Sequence, residues 1–189
     1  MTVRCAWETS LPDYVAYHDE EWGRAVRDDR GLFERLCLEA FQSGLSWLTI
    51  LRKREAFRRA FAGFEPALLA AYGEADVERL MADASIVRNR RKIEAVVGNA
   101  RAVLELPGGL AELVWEYAPP EAPAPQKMSD IPAQTPSSQA LARKLKSHGF
   151  RFVGPTTAYA LMQACGLVND HLLDCPARSL SGPSMISQV

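Results

Sequence analysis

The sequence predicts an all-α fold, and three observations carry that prediction. Apolar residues recur at helical spacing in segment after segment, no stretch alternates long enough to build a sheet, and prolines and glycines fall between the periodic segments. At 189 residues with 48% hydrophobic and 24% charged residues, the chain has the length and composition of one globular domain with a sizeable core.

The helices follow in order. After Pro12, residues 13–22 place Tyr14, Tyr17, His18 and Trp22 on one face. Residues 29–43 repeat the period with Leu32, Phe33, Leu36, Cys37 and Ala40. Ser46 is placed to cap a helix from Trp47 to about Ala62. Shorter helices are expected at 66–72 and 75–83, and a longer one at about 88–105. Residues 107–136 hold seven of the twelve prolines and read as an extended loop, interrupted by a short helix at 109–117 carrying Trp115. Ser137 or Ser138 then caps a helix to about Ser147. HGFRFVGPTT forms a hairpin, and Pro155 opens a last helix over 155–165. Residues 1–178 are thus expected to form the single domain. The polar tail from Pro176 lacks periodicity, and residues 179–189 are expected to be frayed.

Charge is informative through its distribution. The net charge is −1, yet 14 of the 22 Lys and Arg residues fall in three blocks, at 52–59, 88–101 and 143–151. Such blocks suit either a phosphate-facing surface or the solvated faces of amphipathic helices. No apolar run approaches the 18 residues of a membrane span. The first twenty residues carry Glu, Asp and Arg where a signal peptide would carry an apolar core. Four scattered cysteines then fit a reducing cytoplasm better than a disulfide framework.

Three groups of residues invite chemistry. Cys5 and His18 near one end, with His171 and Cys175 near the other, make a closed set of two thiolates and two imidazoles. Their spacing matches no standard zinc finger, and four buried core residues remain an alternative. Glu39 projects about 20° from Leu32 and 60° from Leu36, on the buried stripe of its helix. A carboxylate there needs either a basic partner or a pocket to serve. QSGLSW follows it directly, and Tyr14, Tyr17 and Trp22 precede it. Flat aromatics around one carboxylate suit a purine, with rings stacked on the base and polar groups on its edge. Finally, FVGPTT at 152–157 is either an ordinary αα turn or a backbone grip on phosphate. A helix N-terminus at Pro155, Gly154 and Thr156 beside it, and Lys146 and Arg151 close in sequence would suit the grip, but such a turn taken alone is more often ordinary. There is no G-x-S-x-G, P-loop, H-E-x-x-H or dinucleotide fingerprint. HDEE at 18–21 could suggest metal-assisted hydrolysis, but neighbouring helical positions point about 100° apart.

On RCAW, YVAYHDEEWG, LFERLCLEAFQSGLSWLTIL, IVRNRRKIEAVVGNAR and GFRFVGPTTAYALMQACGLVNDH, the chain resembles the DNA-3-methyladenine glycosylase I family from about Arg4 to Cys175. The resemblance implies a helix-hairpin-helix DNA glycosylase-like fold with a zinc site tying the N- and C-terminal segments together. It implies one structural Zn2+ on Cys5, His18, His171 and Cys175. Glu39 is implied as the pocket carboxylate, Trp47 as the stacking indole, Tyr17 as the hydrogen-bonding phenol, and Tyr14 and Trp22 as pocket wall. Gly44 and Leu45 fall near the wedge that replaces a flipped nucleotide. Cys37 and Cys165 match no ligand position and read as core. The implied activity is monofunctional hydrolysis of 3-methyladenine from alkylated double-stranded DNA, by a cytoplasmic monomer. A non-catalytic module binding damaged DNA, and a zinc hydrolase acting on a small molecule, are the competing readings. The chain departs from the family after the last ligand, where PARSL stands in place of an aromatic and a basic residue.

Overall fold

The computed structural model describes Cys5 and residues 11–183. Among these residues all regular structure is helical. The α-helices are α1 (Pro12–Glu20), α2 (Asp29–Gln42), α3 (Trp47–Ala60), α4 (Pro66–Ala70), α5 (Glu74–Ala82), α6 (Arg90–Leu104), α7 (Gly109–Trp115), α8 (Pro136–Ser147) and α9 (Pro155–Ala164). Short 3-10 turns occur at Ala62–Phe64, Met128–Asp130 and Pro176–Leu180.

Helix α2 is the central element, packing against α3, α6, α7 and α9. Its position explains its sequence, because Leu32, Phe33, Leu36, Cys37, Leu38 and Phe41 are all buried and cover more than one face. Asp28 starts it, its carboxylate accepting from Gly31 N at 2.7 Å. Phe41, Phe57, Phe61 and Phe64 form a chain of ring contacts between α2 and the end of α3, with centroids 4.7 to 6.0 Å apart. Cys37 and Cys165 are buried in the core.

The end of α9 passes very close to the segment after α1. Val26 N donates to Cys165 O at 3.1 Å. A Cβ at Gly166, where φ is +74°, would sit 2.7 Å from Gly23 O, so only glycine fits there.

Two expectations require correction. Helix α8 is capped by Thr135 instead of Ser137 or Ser138. Thr135 Oγ1 accepts from Ser138 N at 3.1 Å, Ser138 Oγ accepts from Thr135 N at 2.9 Å, and Pro136 takes the first helical position. The chain beyond Pro176 is also packed as far as it is described. Residues Pro176–Leu180 form a turn started at Cys175, Ser181 is buried, and Gly182 N donates to Gly23 O at 2.8 Å. Polar composition conceals this because polar side chains and backbone carbonyls do much of the fastening: Asn169 Nδ2 donates to Arg178 O and Ser181 O at 3.0 and 2.9 Å, and Arg178 Nη1 donates to His171 O at 2.6 Å. Residues 184–189 lie outside the described part.

Candidate active site and metal centre

A cavity of about 270 Å³ opens between α1, the α2–α3 junction, α9 and the segment around Met128. Tyr14, Tyr17, Trp22, Glu39 and Trp47 line it, which brings together all five residues singled out for a pocket. Tyr17 and Trp47 meet at a centroid distance of 5.2 Å and a tilt of 46°. The Trp47 indole N–H is buried with no acceptor among the described residues.

Glu39 is 7% exposed. Burial raises its carboxyl pKa from 4.5 to about 8, against the pull of the Arg35 guanidinium. The carboxyl has no direct hydrogen-bond partner among the described residues, since Arg35 gives its bonds to Glu34 and Glu21. A basic partner is therefore not what Glu39 serves. Burial, with Glu39 adding to it, also raises the Tyr17 phenol well above its ordinary value, so Tyr17 keeps its proton and can donate it in a hydrogen bond.

Gln42, Met128, Ile131, Ala160 and Gln163 complete the wall. None is evident from sequence pattern. Met128 and Ile131 come from the proline-rich loop, where the 3-10 turn is held by Asp130 accepting from Gln126 N and Lys127 N at 3.0 and 3.1 Å. Gln163 is fixed by donating to Asp170 Oδ2 at 2.9 Å, and Tyr159 OH donates to the same oxygen at 2.6 Å.

Beside this cavity the four metal candidates converge. Cys5, His18, His171 and Cys175 are all buried, and their ligand atoms lie within 4.8 Å of one another. Cys5 Sγ is 3.7 Å from His171 Nδ1, and Cys175 Sγ is 3.7 Å from His18 Nε2 and 3.5 Å from His171 Nδ1. Zinc bonds of 2.3 Å to sulfur and 2.0–2.1 Å to nitrogen, at the tetrahedral angle, set S···N edges of about 3.6 Å. The outer ring nitrogens are already occupied: His18 Nδ1 lies 2.7 Å from Asp19 Oδ1, and His171 Nε2 lies 3.0 Å from Trp22 O. Those partners fix both tautomers so that the lone pairs face inward, as metal-binding histidines require. Burial lowers the His171 pKa to about 4, which keeps it neutral, and pushes the Cys5 thiol up to about 12 in the absence of a cation. Two sulfurs and two imidazole nitrogens facing one another fit a closed zinc site. Asp19, which helical projection sends away from His18, thus reaches it as a backing carboxylate.

The hairpin candidate is a turn between α8 and α9, which pack on each other. Gly149 at φ +85° ends α8, and Phe152 sits at φ +58°, unusual for a bulky residue. Buried Asn99 of α6 pins this turn, accepting from Arg151 N at 2.8 Å and donating to Arg151 O at 3.0 Å. Gly154 starts α9 with open space where a side chain would lie. Lys146 and Thr156 are exposed. Arg151 is exposed too, but its guanidinium folds back and donates to Glu94 O at 2.9 Å.

The basic blocks divide between the two readings given for them. Arg52, Arg54 and Arg58 are spent on Asp13, Glu21 and Glu34, and Arg90 on Glu74 and Glu78. Arg88, Arg91, Arg143, Lys144 and Lys146 make no side-chain hydrogen bond or ion pair among the described residues. Free cations therefore concentrate at the start of α6 and along α8.

A helical protein in which an αα hairpin accompanies an aromatic pocket around a buried carboxyl is built like a base-recognising, DNA-handling enzyme. Residues 7–179 match the methyladenine glycosylase family model, and the chain belongs to that family. It is 48% identical over 177 residues to DNA-3-methyladenine glycosylase 1 of Escherichia coli (strain K12), covering 91% of this chain and 95% of that protein. It is 41% identical over 184 residues to DNA-3-methyladenine glycosylase of Haemophilus influenzae (strain ATCC 51907 / DSM 11121 / KW20 / Rd), covering 95% and 100%. Among solved structures, a tyrosine-to-phenylalanine variant of 3-methyladenine DNA glycosylase I in complex with 3-methyladenine superposes with a TM-score of 0.89. That pair shares 37% identity over 96% of this chain and 98% of the other.

Proposed function

We propose that this chain is a base-excision enzyme that hydrolyses the N-glycosidic bond of 3-methyladenine in alkylated double-stranded DNA. The observation that carries the reading is Glu39, buried without a hydrogen-bond partner among the described residues in a cavity walled by aromatic rings. An extruded 3-methyladenine is cationic and leaves as a neutral base, so the bond to be broken is already weak and no strong general acid is needed. The rings of Trp47, Tyr14 and Trp22 stack on or flank the base, and the Tyr17 phenol and Glu39 address its edge. In the free pocket Glu39 is held largely protonated. A cationic base beside it favours the carboxylate, which then offsets positive charge on base and sugar as the bond stretches. Water completes the hydrolysis at the sugar carbon. No lysine among the described residues lines the cavity to form a Schiff base, which supports a monofunctional enzyme without strand cleavage.

The remaining assignments belong to the same reading. Gly44 and Leu45 stand at the pocket rim to fill the gap in the duplex. Gly154, Thr156, Lys146 and Arg151 mark the hairpin side for the DNA backbone. Cys5, His18, His171 and Cys175 hold one structural Zn2+, which supplies a fixed link between the chain ends and leaves no open position for substrate. No helix among the described residues is long and apolar enough to cross a membrane, and we infer a cytoplasmic monomer of one domain.

Incubation of the purified protein with methylated duplex DNA, followed by chromatography of the free bases, tests the reading. Release of 3-methyladenine with little 7-methylguanine is expected. A folded, zinc-loaded sample that releases nothing would instead be a damage-binding module. Glu39→Gln should leave DNA binding nearly intact and slow release at least tenfold; unchanged release would remove Glu39 from the chemistry.

A further inference from the structure

Lys92 is the one buried lysine among the described residues, and it has no acidic partner among them. Its Nζ donates to Phe41 O at 3.0 Å and to Ser43 O at 2.8 Å. An ammonium group is costly to bury, so both the choice of lysine here and the choice of acceptors call for a reason. Phe41 O is one of the terminal carbonyls of α2, at the negative end of that helix. Ser43 O has a different meaning. Ser43 at φ −49°, ψ 115° and Gly44 at φ +85°, with Leu45 N donating to Gln42 O at 2.7 Å, form a type II turn. Its central peptide is flipped relative to a type I turn, and the flipped carbonyl is that of Ser43. Lys92 therefore takes hold of the group that distinguishes the two turn types.

This turn is the rim of the cavity. Gln42 at its start lines the wall, Trp47 two residues beyond its end lines the wall, and Leu45 between them is 42% exposed. We propose that Lys92 is a positioning residue that locks the Gln42–Leu45 turn in its type II form and so aims Leu45 at the duplex beside the pocket. The proposal rests on the reading of the cavity as the site for an extruded base. Lys92 acts on the extrusion step, through Leu45, and not on the bound base.

Extrusion is most demanding when the target is paired, and least when nothing pairs with it. Two duplexes with a single adenine, opposite thymine or opposite a tetrahydrofuran abasic analogue, are methylated and used in single-turnover assays of 3-methyladenine release. Lys92→Met should slow release at least tenfold opposite thymine and less than threefold opposite the abasic analogue. Its affinity for free 3-methyladenine, read by tryptophan fluorescence, should stay within threefold of the original. Gly44→Ala meets no neighbour within 4 Å in the free protein and strains the turn at its φ of +85°, so it should give the same split even if the Lys92 variant fails to fold. Equal losses on the two duplexes, or no loss, would overturn the role given to Lys92. Absence of release by the unsubstituted protein on both duplexes would remove the underlying reading, and the proposal with it.

Discussion

At the residue scale, Glu39 couples the site to stability. Its pKa in the fold is about 8 against an ordinary 4.5, so between these values the folded protein holds a proton that the unfolded chain releases. The stability this lends is fully present below about pH 4.5 and is lost as pH rises through 8. Glu39→Gln removes the dependence. Melting curves of the two proteins should coincide near pH 4.5 and diverge with rising pH, the variant being more stable at pH 9 by no more than about 5 kcal/mol. Parallel curves across the range would mean that Glu39 is ionised in the free pocket. Such a residue is legible in sequence because a carboxylate on an apolar helical stripe breaks a pattern. Gln163 and Asn99 break none: an amide on a helix is ordinary until the fold shows that Asp170 or the Arg151 backbone receives it.

At the element scale, helix periodicity located every α-helix, and the errors lay at caps and in irregular backbone. Ser137 and Ser138 look like caps as residue types, but Pro136 fixes the first turn ahead of both serines and hands the cap to Thr135. Removing that hydroxyl with Thr135→Ala should cost about 1 kcal/mol in urea denaturation, and Thr135→Ser should restore most of it. An unchanged midpoint would show that tertiary packing alone holds α8. The proline-rich loop was legible as irregular but not as functional. Its contribution of Met128 and Ile131 to the cavity depends on a three-residue turn held by one aspartate, which leaves no periodic trace.

For the molecule as a whole, the convergence of Cys5 and His18 with His171 and Cys175 is a long-range fact that spacing along the chain cannot supply. The residue types announced a ligand set, and only the packing of α1 against the segment after α9 brings it together. Cys175→Ser should lower bound zinc and the melting temperature together, by about 5 °C or more, with each kcal/mol lost worth about 2–4 °C at this chain length. Stoichiometric metal with an unaltered melting curve would count against a structural ion. Chelation of the original protein should reproduce the shift, and zinc should reverse it.

The contact of Cys5 with His171 and Cys175 also defines the topology of the chain. Where Cys5 touches the loop that carries His171 and Cys175, two parts of the described chain far apart in sequence share one patch, and the backbone between them traces a nearly closed circuit. Residues 120–123, exposed and far along that circuit, lie in a stretch without regular structure. The order in which the helices follow one another is thus partly a matter of where the circuit is opened, and the described residues joined by a bridge across the shared patch, with new ends at 121 and 122, would present the same pocket on a rearranged chain.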